Sequence, residues 1–565
     1  MTTEQKQIVA DKLNLLDITK EEILQILQEP PSKDCGDVSL PCFKFAKIMR
    51  KSPVVIAEEI KNNFVLDDQI IKCESINGYV NFFFNKSKIT EEVIKKILLE
   101  ENNYGNSDEG NGKTITIDYS SINIAKPFHI GHLFTTVLGG SLYKVYKKLG
   151  YNAIGINHLG DWGTQFGKLI VAFKKWSSYE NLEKYGMDNL LEIYVKFHKE
   201  AELQPELNDE ARHYFKLIEE GDEEVVTLFN LFKKITLEEV EKVYKRLNIK
   251  FDSYAGESFY NDKMQPVIDK LEEKKLLVES DGAKVVNLDE YKMPPCLILK
   301  KDGATLYATR DLACAIYRKN TYDFYKNLYI VAYQQNLHFK QVFKVLELMG
   351  NTWAKDCVHV PFGMVSLEDG AMSTRDGKVV LLKDTLNKAV EKSLTIITEK
   401  NPNLDNKEDV AEKVGVGAVI FSTLYNGRIK DVVFSYDKVL NFDGETGPYV
   451  QYTNARINSI MNKAGSVDFS KADFNVLCDD ESTNLVALLN QFKDVLRDVI
   501  NKYEPSSLSR YLVKLSQAFN KFYLANRILG EEESVKAARL MLIKSVHIVL
   551  VEGLRLLGIE APEKM

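Results

Sequence analysis

Long apolar runs are missing from this chain of 565 residues. No stretch approaches the roughly 20 residues that a membrane-spanning helix needs, and the opening Met1-Thr-Thr-Glu-Gln-Lys-Gln7 has neither the basic nor the apolar region of a signal peptide. A cytoplasmic protein without a membrane partner is expected. Cysteine is scarce: the seven at 35, 42, 73, 296, 314, 357 and 478 are odd in number and include no Cys-x-x-Cys pair. Neither a disulfide framework nor a zinc ribbon is supported, so the thiols read as reduced packing residues and no protein-bound metal is expected. A surplus of positive charge is absent as well. Lys+Arg 74 against Asp+Glu 81 gives a net charge of −7 and a pI of about 5.8, which argues against a surface coated for nucleic acid. A local basic groove stays open, because charges are screened beyond about 10 Å at ordinary salt. Internal repeats and low-complexity tracts are also lacking.

What is present is an ordinary globular composition, 45% hydrophobic and 27% charged, with length for roughly three or four domains. The most informative stretch is 113–133. Thr114, Ile115, Thr116, Ile117 and Tyr119 are strand formers behind an Asn111-Gly112 turn signal, 120–127 reads as a loop, and Pro127 ahead of Leu133, Val137 and Leu138 suits a helix entrance. A strand feeding a helix N-terminus aims free N–H groups at the mouth of a sheet, which makes an anion site. His129 and His132 stand three apart, so both imidazoles can face one ligand, and Gly131 lets a flat or bulky group approach the backbone. This suits a nucleotide phosphate on which charge develops. A helix start with two satisfied histidines, or half of a metal site, would use the same residues.

Residues 1–105 read as a small α+β unit, with an amphipathic helix over 13–27, a mixed loop and helix start at 37–46, and a strand at 77–84 after a turn. The polar, glycine-rich 102–112 is the best linker in the first half. From 113 strand and helix alternate: a helix over 131–149, a second strand at 153–157, and then a loop, 157–167, whose glycines and polar side chains read as a pocket lining. Residues 170–290 look inserted. Their charges read as solvated helix faces, followed by a hairpin around 280–283. Strand patterns return at 296–300 and 328–333, and a helix follows from about Lys340. The segment 361–383 is loop-rich and carries Met372-Ser373-Thr374-Arg375-Asp376-Gly377-Lys378, suited to gripping a polyanion that must later be released, or else an exposed hairpin tip. Beyond Gly447-Pro448 the apolar stripes are those of a helix bundle, on which Arg456, Arg510, Lys514, Lys521 and Arg527 could line an RNA surface.

These segments together resemble the class I aminoacyl-tRNA synthetases, and among them the arginyl-tRNA synthetase family. The match lies in Asp118-Tyr-Ser-Ser-Ile-Asn123-Ile-Ala-Lys126-Pro-Phe-His129-Ile-Gly-His132, Gly160-Asp-Trp-Gly-Thr-Gln-Phe-Gly167, Leu306-Tyr307-Ala-Thr-Arg310-Asp311, Gln334-Gln335-Asn-Leu-His338, Met372-Ser-Thr-Arg375 and the run from Gly447 to Arg456, in the family's order over nearly the whole chain. The resemblance implies an α/β catalytic domain with a Rossmann-like doubly wound parallel sheet over 113–400, interrupted at 170–290. It further implies an N-terminal α+β unit (1–105) touching tRNA, a connecting helical segment (401–447) and a helical anticodon-binding domain (448–565). The implied activity is ligation of L-arginine to tRNA(Arg) through an arginyl-adenylate, with ATP and its Mg2+ as substrate, in a monomer.

By the same resemblance His129, Gly131, His132, Met372, Ser373 and Thr374 bind ATP, and Asp118, Asn123, Tyr307, Asp311 and Gln335 hold the arginine. A guanidinium is a planar fork of five donors, so choosing it over lysine calls for carboxylates placed for paired hydrogen bonds; Asp311 beside Tyr307 is the first choice. Two departures stand out. Phe134 occupies a position where the family commonly has arginine, and the mobile loop lacks its usual lysine. Lys126 is the expected substitute for that charge, with Arg375 and Lys378 as rivals. A small-molecule nucleotidyltransferase also uses His-x-Gly-His on a doubly wound sheet, but it gives no purpose to the C-terminal helices. A non-enzymatic RNA-binding relative has no need of both histidines and the full pocket set.

Overall fold

The computed structural model describes residues 3–13, 18–124, 126, 128–367 and 380–565. At the N-terminus, strands β1 (Val38–Pro41), β2 (Ile70–Ile76) and β3 (Tyr79–Phe84) form an antiparallel sheet in the order β1-β3-β2. Asn77 and Gly78, both at positive φ (51° and 83°), make the β2–β3 turn, as the right-handed twist of a hairpin demands. Two expectations fail here. The helix read over 13–27 is instead Thr3–Lys12 and Lys20–Ile26, because Thr19 and Glu22 form a reciprocal capping box that starts a helix rather than continuing one. The segment 37–46 holds a strand, β1, whose inward Val38 and Leu40 are buried against β3.

The catalytic-type sheet begins with β4 (Thr114–Asp118) and β5 (Asn152–Ile156), joined by the helix Leu133–Lys148. The inserted region supplies helices Thr164–Trp176, Tyr179–Leu203, Glu206–Glu220 and Glu223–Arg246, then an antiparallel sheet of β6 (Leu277–Ser280), β7 (Ala283–Val286) and β8 (Cys296–Leu299). Helix Tyr307–Tyr322 leads into β9 (Lys326–Ala332), and helix Asn336–Leu348, starting four residues before the expected Lys340, leads into β10 (Cys357–Phe362). Short strands β11 (Val365–Leu367) and β12 (Val432–Phe434) pair in parallel.

The large sheet runs β10-β9-β4-β5 with every pair parallel. Chain order reverses between β4 and β9, and a doubly wound sheet binds its ligand in the crevice at the carboxyl ends flanking such a reversal. Asp118 ends β4 there, and Tyr333–Gln335 follow β9. At the far end of the fold the helices Gly447–Ala464, Asp480–Asn490, Phe492–Lys502, Ser506–Ala525 and Glu533–Leu557 bury the expected stripes, among them Leu489, Leu496, Phe519 and Val546. The 102–112 segment is not a free tether. Tyr104 is buried, its hydroxyl donates to the Leu489 carbonyl (3.0 Å), and its ring stacks on Phe492.

Candidate active site

Ser120 and Ser121 follow β4 at positive φ, and the Ser120 N–H donates to Thr135 Oγ1 (3.1 Å), which tacks the loop to the next helix. Ile130–His132 form a single 3₁₀ turn ahead of Leu133–Lys148, which brings the rings of His129 and His132 to 4.0 Å between centroids. His129 Nδ1 accepts the Gly131 N–H (3.1 Å) and His132 Nδ1 accepts the His129 N–H (3.3 Å). Both neutral rings therefore carry their proton on Nε2, a donor for an anion. Burial and then the Lys126 charge lower the His129 pKa, while burial and then His129 push His132 down to about 3. The pair is stitched to the chain beyond 379: Ile130 N–H donates to the Val380 carbonyl (3.2 Å) and Leu382 N–H to that of Phe128 (2.9 Å).

Beside the histidines lies a cluster of charged groups. Asp118 is 5% exposed, accepting Ser121 Oγ at one oxygen and Arg318 Nη2 at the other, each at 2.7 Å. Burial by itself would raise its pKa, but Arg318, His158 and Ser121 hold it below the usual carboxylate value. Arg318 is fully buried over the Tyr329 ring (5.3 Å). Asp311, one helical turn after the exposed Tyr307, pairs with His338 Nε2 at 2.6 Å. His158 feels Asp118, Asp311 and Asp161 together, and Glu257 feels Asp311, Asp161 and Lys126. The histidine pair, Lys126 and the carboxylates thus share one neighbourhood. Asn123 bridges to Gly160, where a Cβ would stand 2.2 Å from Asn123 Oδ1 and would displace that side chain. Gln335 is exposed beyond β9.

A nucleotide-type turn with clustered carboxylates at a sheet reversal also matches known proteins. The family described as tRNA synthetases class I (R), catalytic domain, matches residues 93–436, flanked by the arginyl tRNA synthetase N terminal domain (3–84) and the DALR anticodon binding domain (450–565). The arginine–tRNA ligase of Clostridium beijerinckii is 55% identical over 550 residues, 96% of this chain and 97% of that one. That of Clostridioides difficile is 54% identical over 554 residues, 98% of each.

The chain belongs to the class I arginyl-tRNA synthetases.

The arginyl-tRNA synthetase of Thermus thermophilus superposes with a TM-score of 0.80 at 24% identity, covering 95% of this chain and 96% of that one. The expected fold class is borne out, and so is the place of the C-terminal helices that the nucleotidyltransferase reading left without purpose. Within this synthetase fold Phe134 is a core residue, 1% exposed and stacked on Phe362 of β10 at 5.3 Å, so an aromatic contact fills this position. Met372, Ser373, Thr374, Arg375 and Lys378 lie outside the described residues. Of the basic residues read as an RNA surface, Arg510, Lys514, Lys521 and Arg527 are exposed, while Arg456 donates to Asn520 Oδ1 (3.0 Å). Among the described residues no group of three His, Cys, Asp or Glu is placed to hold a metal, and no helix is long and apolar enough to cross a membrane.

Sequence reading overlooked several of these groups. Arg318 and Glu257 carry no motif signal, and the charges of the inserted region have the pattern of solvated helix faces. Yet Lys233 from that region pairs with the fully buried Asp161 (2.5 Å), which also accepts the Ser258 N–H and hydroxyl. Glu257 reaches the site because 252–258 runs beside β5, with the Asn157 N–H on the Ser253 carbonyl and the Glu257 N–H on that of Leu159. Burial, reinforced by Asp311 and Asp161 against the opposing Arg310 and Lys126, pushes its pKa up to about 7. Only a folded insertion creates that environment.

Proposed function

We propose that this synthetase uses MgATP to activate L-arginine, releasing pyrophosphate, and then passes the arginyl group to the 3′ ribose of tRNA(Arg). The observation that supports this best is the meeting of two Nε2-protonated imidazoles with Asp118 and Asp311 at one sheet edge, where a triphosphate and a guanidinium can lie side by side. Neither step needs a nucleophilic side chain. The arginine carboxylate attacks the α-phosphorus, and catalysis rests on alignment and on donors placed where charge develops.

His129 and His132 donate to phosphate oxygens, with Gly131, Met372, Ser373 and Thr374 forming the rest of the ATP site. Lys126 supplies the cation that the loop lacks, with Arg375 and Lys378 as alternatives. Asp311 and Tyr307 take the guanidinium, and Asp118, Asn123 and Gln335 the α-amino and carboxyl end. Each carboxylate oxygen has two acceptor directions, so the bonds to Arg318, Ser121 and His338 leave room for substrate. The 1–105 unit meets the tRNA elbow and the 448–565 helices read the anticodon, with Arg456, Arg510, Lys514 and Arg527 on the RNA side and 401–447 as the connection. The enzyme works as a cytoplasmic monomer. Charging total tRNA with each of the twenty amino acids tests the reading, with arginine alone expected to be incorporated. Incorporation of a different amino acid, or none in the presence of ATP and tRNA, overturns it.

A further inference from the structure

Helix Leu133–Lys148 begins beside the reacting groups and, at 16 residues, ends about 24 Å away at a second polar site. There its last turn meets 102–106 and the last turn of Glu533–Leu557 around a cleft of about 470 Å³, within the size range of small-molecule sites. Lys144, Lys147, Lys148 and Arg555 line it, against one carboxylate, Glu552. Glu552 is already shared: Lys148 Nζ lies 2.8 Å from one oxygen, and Arg555 binds both oxygens at 2.7 and 2.8 Å. Glu100 also acts on Lys148 from outside the lining, so four cations face two carboxylates, and the two converging helix C-termini offset about one of the two remaining charges. About one positive charge remains uncompensated there, in a chain whose net charge is −7.

Lys144 shows the same imbalance. Its Nζ donates to a neutral acceptor, the Asn248 carbonyl (2.9 Å), and burial followed by the Arg555 charge lowers its pKa to about 8. Such a group gains from an arriving anion. The amides of Asn102, Asn103 and Asn106 complete a polar wall. We propose that this cleft binds a small oligophosphate, of the size of tripolyphosphate or a nucleotide's phosphate tail, at a site separate from the reaction centre. Three stretches of chain from different parts of the fold would then be cross-linked by one ligand. Phosphate is the recognised group, because flexible ammonium donors and one guanidinium suit a compact, multiply charged oxyanion.

The test uses the full-length enzyme with its reaction centre first saturated by a non-hydrolysable arginyl-adenylate analogue. Uptake of the analogue is measured before anything else is added, so failure of the functional reading shows separately. Calorimetric titration with tripolyphosphate is expected to show one saturable site. Lys147→Glu and Lys144→Met are each expected to weaken it at least tenfold, and Lys355→Met, an exposed lysine outside the cleft, to leave it unchanged. Lys147 is exposed, so its variant is expected to fold and keep its arginine-dependent exchange. Absence of saturable binding, binding insensitive to both cleft variants, or displacement by equimolar tRNA, which would make the cleft part of an RNA path, overturns the proposal.

Discussion

The two histidines act as neutral donors because the backbone takes their Nδ1 atoms and burial discourages the imidazolium. The His132 pKa, about 3 in the folded protein against an ordinary 6.5, means that the unfolded chain takes up the proton first. The stability this ring leaves intact is complete above pH 6.5 and is lost as pH falls from 6.5 towards 3. Glu257 has the opposite sign. With a folded pKa of about 7 against 4.5, its contribution is complete below pH 4.5 and is lost as pH rises through about 7. Thermal midpoints measured across this range are expected to fall by less between pH 4.5 and 7 in Glu257→Gln than in wild type. An ionisation near pH 7 in the rate of pyrophosphate exchange is expected to vanish in that variant and to persist in His132→Asn; disappearance in the histidine variant alone would refute the assignment. Lys126→Ala is expected to slow the same exchange severely, at least 100-fold, on the scale of removing one transition-state donor. Full activity would move the role to Arg375 or Lys378.

At the scale of the element, Leu133–Lys148 couples the reaction centre to the helical domain. Its last residue, Lys148, is 2% exposed and satisfied three times over, by the Asn102 carbonyl (3.0 Å), Asn106 Oδ1 (2.8 Å) and Glu552 (2.8 Å), itself 3% exposed. Burial lowers the Lys148 pKa and Glu552 opposes that shift, so the pair fixes a docking geometry at little net gain. Lys148→Met alone is expected to cost about 3–5 kcal/mol, because a buried carboxylate loses a partner. The double variant with Glu552→Met is expected to recover most of that loss in urea unfolding. A double variant as unstable as the single would mean that shape, not charge, holds the junction.

At the scale of the molecule, the N-terminal unit has its own core, built from Val9, Ile23, Leu40, Phe45, Ile56 and Phe82, whereas Val93, Ile94 and Ile97 of helix Lys86–Glu100 join the core shared by the sheet and the C-terminal helices. Deleting 1–84 is therefore expected to leave the unfolding midpoint of the remainder within a few degrees of wild type while raising the KM for tRNA about tenfold or more. A collapse of the midpoint would show that the two cores are one.

Local chemistry fixed much of this in the sequence itself. Strand propensity and turn residues marked β4, β5 and the β6–β7 hairpin, helical periodicity marked the C-terminal bundle, and the order of motifs from Asp118 to Arg456 marked the family, because each depends on neighbours within a few residues. Burial in three dimensions decided the rest. Arg318 beneath Asp118, Glu257 drawn in beside β5, Lys233 on Asp161, Phe134 against Phe362 and the three lysines brought to Glu552 lie tens to hundreds of positions from their partners. A charge in a sequence looks the same whether it will meet water or a buried counter-ion, and only folding assigns the dielectric in which it acts.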